Sequence, residues 1–144
     1  MGYHVSMEVI GIEIPRRKVK ACREAINALF APKTIKKLGG GMSAGEPRYS
    51  WVDQPPEGGF KSLVDAFRAW RYSATVKDNG NVVLEHFDGE KWGDDETLYA
   101  TIAPFVKNGK TISQIRCHGE DGCHWRFAFV KGSVTEQRGM VVYE

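Results

Sequence analysis

Residues 72–89, YSATVKDNGNVVLEHFDG, set two β-prone runs on either side of Asn79-Gly80. Asn-Gly between such runs is the strongest short hairpin signal, because both central residues of the turn accept positive φ. An antiparallel hairpin is therefore expected here, and the rest of the chain is read outward from it. Upstream, Phe60, Leu63, Val64, Phe67 and Trp70 recur at helical spacing through FKSLVDAFRAWR, which predicts a helix packed on the core. Downstream, GDDETLYATIAPFVKNG (93–109) reads as another helix. Asp94 can cap it, Asp95 and Glu96 complement its positive end, Pro104 kinks it, and Gly109 closes it.

The final segment, 110–144, is strand-like, with turn signals at Asp121-Gly122, Lys131-Gly132 and Arg138-Gly139, so an antiparallel meander is predicted. Segments 60–92 and 98–138 thus share one order of parts, helix, strand, glycine turn, strand, which hints at a duplicated helix–hairpin unit. At the other end YHVSMEVIGIEI (3–14) reads as one strand stopped by Pro15. PRRKVKACREAINALFAP (15–32) follows as a helix with the proline at its first position. Its buried face is Val19, Cys22, Ile26, Leu29 and Phe30, and Arg16, Lys20, Arg23 and Asn27 make an opposite, solvent-facing stripe. Pro32 ends the helix, and Tyr49, Trp51 and Val52 suggest a short strand before the punctuation QPPEGG (54–59). The predicted fold class is α+β: a mainly antiparallel sheet with about three helices packed against it.

The 144 residues, 42% hydrophobic and 26% charged, suit one compact domain spanning 1–144, and they lack the low-hydrophobicity, high-charge signature of disorder. The N-terminus has no positive start followed by a long apolar run, and no stretch approaches the ~18 apolar residues of a membrane span. Cys22, Cys117 and Cys123 make an odd count, poor for a disulfide framework, so the expected location is cytoplasmic. The net charge of +2 divides unevenly, +5 over residues 1–52 and −3 over the remainder. The N-terminal third is the side on which an anionic partner would approach.

Four stretches carry candidate chemistry. KKLGGGMSAGE places Gly39, Gly40, Gly41 and Gly45 behind Lys36 and Lys37, yet it follows a helix and lacks a Lys-Ser/Thr after its last glycine. A P-loop and a dinucleotide fingerprint are both excluded, and the loop reads as a connector that leaves room only for a looser anion nest. CHGEDGCH brings together Cys117, His118, Cys123 and His124, all competent zinc ligands. With a two-residue turn, Cys117 and His124 share one face and His118 and Cys123 the other. With a three-residue turn, the two cysteines share one face and the two histidines the opposite one. In neither register do all four converge, so no metal or cofactor is expected, and a Cys/His nucleophile pair lacks an orienting partner.

HFDGEKWGDDE gathers acids without calcium-loop spacing. Its Trp92 is either a lid on the core or an anchor facing a partner. The fourth stretch is the basic stripe: Arg16, Arg17, Lys20 and Arg23, joined by Lys36 and Lys37, suit an acidic protein surface or phosphates. The expected function is therefore a small, soluble, non-catalytic interaction protein of the inhibitor, adaptor or mobile-element accessory type. It would bind an acidic protein partner through these cations and Trp92. The alternative is a sequence-nonspecific nucleic-acid binder using the same cations, and the second alternative is a zinc or Cys/His enzyme centred on residues 117–124.

Overall fold

In the computed structural model, which describes residues 2–31 and 49–143, the expected opening strand is divided at Gly11 into Val5–Ile10 (β1) and Ile12–Ile14 (β2). Gly11 has φ +65°, a left-handed conformation that glycine adopts without steric cost. The division keeps the apolar side turned inward. Val5, Met7 and Val9 face the core at odd positions, and after the glycine Ile12 and Ile14 face it at even ones. An unbroken strand would have turned one of the two sets to solvent.

Arg16–Ala28 (α1) follows, with Pro15 as the extended residue before the helix rather than its first helical residue. The expected strand at 49–52 is a turn instead. Trp51 has φ +66°, the Ser50 N–H donates to Asp94 Oδ2 at 2.7 Å, and Tyr49 Oη donates to the Leu29 carbonyl at 2.7 Å. A segment whose polar groups are satisfied by side chains and helix ends has no ladder to join. Leu63–Ala69 (α2) begins three residues after Phe60, where the Ser62 hydroxyl accepts from the Asp65 N–H.

Tyr72–Val76 (β3) and Val82–Phe87 (β4) form the expected hairpin. Its turn differs in type, because only Gly80 has positive φ (+88°). The Gly80 N–H bonds to the Lys77 carbonyl, and the Lys77 N–H to the Asn81 carbonyl, the pattern of a longer turn closed by a left-handed glycine. Asp95–Ile102 (α3) runs into a 3-10 turn, Ala103–Phe105, at Pro104, so the helix ends well before Gly109. Asp94 does not cap α3 with its side chain; its carboxylate serves Ser50.

Ser113–Gly119 (β5), His124–Val130 (β6) and Ser133–Gly139 (β7) make the meander. Lys131-Gly132 is a two-residue turn with both residues at positive φ, and Gly139 lies inside β7, paired with His124, so Arg138-Gly139 is strand rather than turn.

All strand pairs are antiparallel, in a sheet ordered β1-β5-β6-β7 and a sheet ordered β2-β4-β3. The N-terminal strand joins them: β1 pairs with β5 and β2 with β4. Past β4, the Glu90 carbonyl accepts from the Val5 N–H and the Trp92 N–H donates to the Tyr3 carbonyl, so the chain after β4 runs along the other edge of β1. The order helix–hairpin, helix–hairpin is present, and each hairpin takes one half of the opening strand. The three helices pack on the core-facing side, where Trp70, Tyr72, Tyr99, Phe67, Ile26 and Leu98 are fully enclosed. Among the described residues no helix is long and apolar enough to cross a membrane.

Candidate functional site

The N-terminal end of α1 is fixed by the β3–β4 loop. Asn81 Oδ1 accepts the Arg16 N–H at 2.8 Å, satisfying one of the helix's free donors, and Asn81 Nδ2 donates to Glu13 Oε2 at 2.5 Å. Lys77 Nζ reaches the same carboxylate at 3.3 Å. The Asn81 hydrogen bond, followed by the Lys77 charge, holds the Glu13 carboxyl below its usual range. The methylenes of Arg16 lie against Gly80, where a Cβ would stand 2.7 Å from Arg16 Cδ.

Beside this anchored corner is a groove of about 460 Å³ lined by Arg16, Arg17, Lys18, Asn81, Lys107 and Asn108. The first turn of α1 contains no acid. Its four cations therefore add to the positive helix end, in an arrangement that suits an anion. The ion pairs among the described residues are Lys20–Glu24, Asp65–Arg68, Arg71–Asp95 and Glu13–Lys77, so none of the four belongs to one.

The expected stripe is only partly realised. Arg16, Arg17 and Lys20 are exposed, but Arg23 and Asn27 are half-buried and engaged by the backbone of a neighbouring segment. Arg23 Nη1 donates to the Lys61 carbonyl at 2.9 Å. Asn27 clamps Phe60, accepting its N–H at 2.8 Å and donating to its carbonyl at 3.3 Å. Helical spacing identified the side opposite the apolar face correctly, yet the chain entering α2 returns to cover its C-terminal half. Lys20 sits 3.9 Å from Glu24 with both side chains well exposed, a pair of little energetic weight. Lys36, Lys37 and the Gly39–Gly45 loop lie outside the described residues. Lys18 and Lys107 were not singled out in the sequence: Lys18 lies off the stripe, and Lys107 reaches the groove because its N–H bonds to the Glu13 carbonyl across the fold.

Trp92 is half-buried against the core, stacked on Phe127 (5.7 Å, 10°) and edge-on to Trp125 (5.8 Å, 86°). Its outer edge borders a depression of about 240 Å³ with Tyr3, Trp125, Glu96 and Glu136. Burial, and then the neighbouring Glu136 charge, raises the Glu96 carboxyl.

The Cys/His hairpin takes the three-residue register. His118 pairs with His124, the Gly119 N–H donates to the Cys123 carbonyl, and Gly122 has φ +86°. His118 and His124 stack at 4.3 Å on the outward face, while Cys117 is buried on the core face and Cys123 is exposed beside the turn. Burial pushes the Cys117 thiol up to about 12, and the Asp121 hydrogen bond raises Cys123. Neither sulfur is activated as a thiolate. The four candidates do not converge, and no group of three or more metal-competent side chains occurs among the described residues.

Sequence reasoning missed the buried network centred on Asp95, which was read as a charge at a helix start. Asp95 is 0% exposed. Its carboxylate accepts from Arg71 Nη2 at 2.9 and 3.1 Å, from Tyr72 Oη at 2.9 Å and from the Gly93 N–H at 2.9 Å. The Tyr72 and Tyr99 hydroxyls meet at 2.5 Å. Burial raises both phenols well above their ordinary value. With Asp95, Tyr72 and Tyr99 fully enclosed, this network ties β3 to α3 within the core. Set against known proteins, the chain matches no family model, no curated protein and no solved structure.

Proposed function

We propose that the protein is a small non-catalytic interaction module that docks an acidic protein surface through the N-terminal end of α1. The observation that supports this is the groove in which Arg16, Arg17, Lys18 and Lys107 stand together beside a helix end free of acids. Four like charges gathered here repel one another, and the nearby Glu13 carboxylate, already held by Lys77 and Asn81, offsets them only in part. An anionic surface seated there would relieve that repulsion, and long-range attraction would speed its approach. Lys20 extends the patch along the helix; Arg23 supports the fold beneath it. The raised thiols of Cys117 and Cys123 argue against nucleophilic chemistry at the hairpin.

Reversing charge at Arg16, Arg17 and Lys20 tests the reading, because all three are exposed and none clamps the fold through its side chain. Affinity capture from the native host is expected to yield an acidic protein that the Arg16→Glu/Arg17→Glu/Lys20→Glu variant no longer retains. Undiminished retention by that variant overturns the reading. Capture of duplex DNA or RNA instead, with affinity falling about tenfold for each few phosphates as salt rises from ~50 to ~200 mM, would make the partner a nucleic acid.

A further inference from the structure

On the outward face of the β1-β5-β6-β7 sheet, Glu8, Arg116, Arg126 and Gln137 occupy one cross-strand row. Arg116 Nε and Arg126 Nη1 both donate to Gln114 Oε1, at 3.1 and 3.0 Å, and Arg126 Nε donates to Gln137 Oε1 at 2.6 Å. Gln114 is 5% exposed, so the shared amide is an enclosed fixture rather than a mobile surface group. Two guanidinium groups are therefore held with their donor nitrogens at most about 6 Å apart, a distance at which like charges repel. The amides that orient them are neutral and offset none of that charge. Glu8 stands opposite Arg116 on β1, but neither arginine belongs to an ion pair among the described residues.

We propose that this face carries a site for a phosphate-class oxyanion, gripped between the guanidinium groups of Arg116 and Arg126. Arg116 keeps both Nη groups and Arg126 keeps Nη2 available, and guanidinium forks match the oxygens of a phosphate better than any other side chain does. The site opens into a cavity of about 450 Å³ that is also lined by His124 and Gln137. That is ample for a phosphomonoester. The His124 ring, held by its stacking on His118, sits on the neighbouring row and adds a donor. Strand alternation turns this site away from the core on which α1 packs, so it is separate from the basic groove and independent of the function proposed for it.

NMR of the arginine Nε–H signals during titration with inorganic phosphate tests the proposal, with chloride at matched ionic strength as the control. Saturable shifts at Arg116 and Arg126 are expected, with half-saturation on the order of 1 mM, as for a small solvent-accessible site. Arg116→Gln and Arg126→Gln are each expected to weaken binding about tenfold, equivalent to one well-made contact. Arg116→Lys, which keeps the charge but loses the fork, should weaken it nearly as much. Arg16→Gln/Arg17→Gln should leave it unchanged. A phosphoserine peptide titrated in parallel distinguishes the source. Tighter binding than inorganic phosphate identifies a phosphorylated protein segment, and equal binding identifies a free phosphate or small phosphoester. Chloride shifts equal to those with phosphate, or unaltered half-saturation in both Gln variants, would overturn the site. So would loss of the shifts on Arg16→Gln/Arg17→Gln alone, which would put the anion at α1.

Discussion

Asp95 and Arg71 form a contact that is costly to break. The carboxylate is fully enclosed, and the arginine that meets it has φ +77°, a conformation that non-glycine residues hold only when their surroundings demand it. Arg71 also donates to the Lys91 carbonyl at 2.6 Å and lies over the Phe87 ring, so both ends of the pair are built into the core. Removing one partner leaves an uncompensated buried charge, a loss of about 3–5 kcal/mol. Asp95→Ala is expected to lose that much in urea denaturation, whereas Glu24→Ala, which breaks only the exposed contact to Lys20, should lose less than ~1 kcal/mol. The cysteines give a second residue-scale expectation. Cys22 and Cys117 are buried with thiols pushed up to about 12, and Cys123 is exposed. A thiol reagent at about pH 8 should therefore label one cysteine in the native protein and all three after denaturation. The odd cysteine count was legible in the sequence. The burial of Asp95 was not, because the residue that neutralises it lies 24 positions away and reaches it only through a left-handed backbone turn.

At the scale of elements, side-chain clamps join units that hydrophobic periodicity alone would leave loosely placed. Asn27 fixes α1 to the entry of α2 by accepting from and donating to the same residue, Phe60. Asn27→Ala would strand two part-buried backbone groups, and a loss of about 1–3 kcal/mol is expected by chemical denaturation. Glu13 does the same for β2 and the β3–β4 loop through Asn81 and Lys77. Its folded carboxyl titrates below the ordinary value of 4.5, so its contribution is complete above that value and disappears as pH falls through the lowered folded one. The stability difference between wild type and Glu13→Gln should accordingly shrink between about pH 6 and about pH 3. An unchanged difference across that range would contradict this linkage. The helices and hairpins were legible from periodicity and turn residues, since those signals are local. Gly11 was visible as a glycine but not as the point where the strand divides between two sheets. Recognising it requires knowing that Val9 and Ile12 must face the same core, which is information about pairing with β5 and β4.

Across the described residues the molecule is two helix–hairpin units sewn together by one N-terminal strand and one helix. The Trp70 side contains α2, β3 and β4, with Trp70 against Tyr49 and Phe30. The Trp125 side contains β5, β6 and β7, with Trp92 bridging to Tyr99 of α3. If the units were autonomous, each would unfold with its own midpoint. Three connections argue otherwise. The β1–β2 strand contributes to both sheets, α1 packs on both α2 and α3, and Asp95 at the start of α3 binds Arg71 and Tyr72 at the start of β3. A crack between the units would have to expose the Arg71–Asp95 pair and unzip one edge of the opening strand at the same time. Few partly unfolded states could bear that cost, so the units should melt together. Urea unfolding followed by fluorescence of the Trp51→Phe/Trp92→Phe/Trp125→Phe variant, whose remaining tryptophan is Trp70, and of the Trp51→Phe/Trp70→Phe/Trp92→Phe variant, whose remaining tryptophan is Trp125, should track the far-ultraviolet circular dichroism of the same variant with one midpoint and one slope. Replacing Arg71 and Asp95 together should bring the two reporters apart, because that pair is the buried charged link across the seam. Separate transitions in the unsubstituted background would instead make the chain two domains that share a strand.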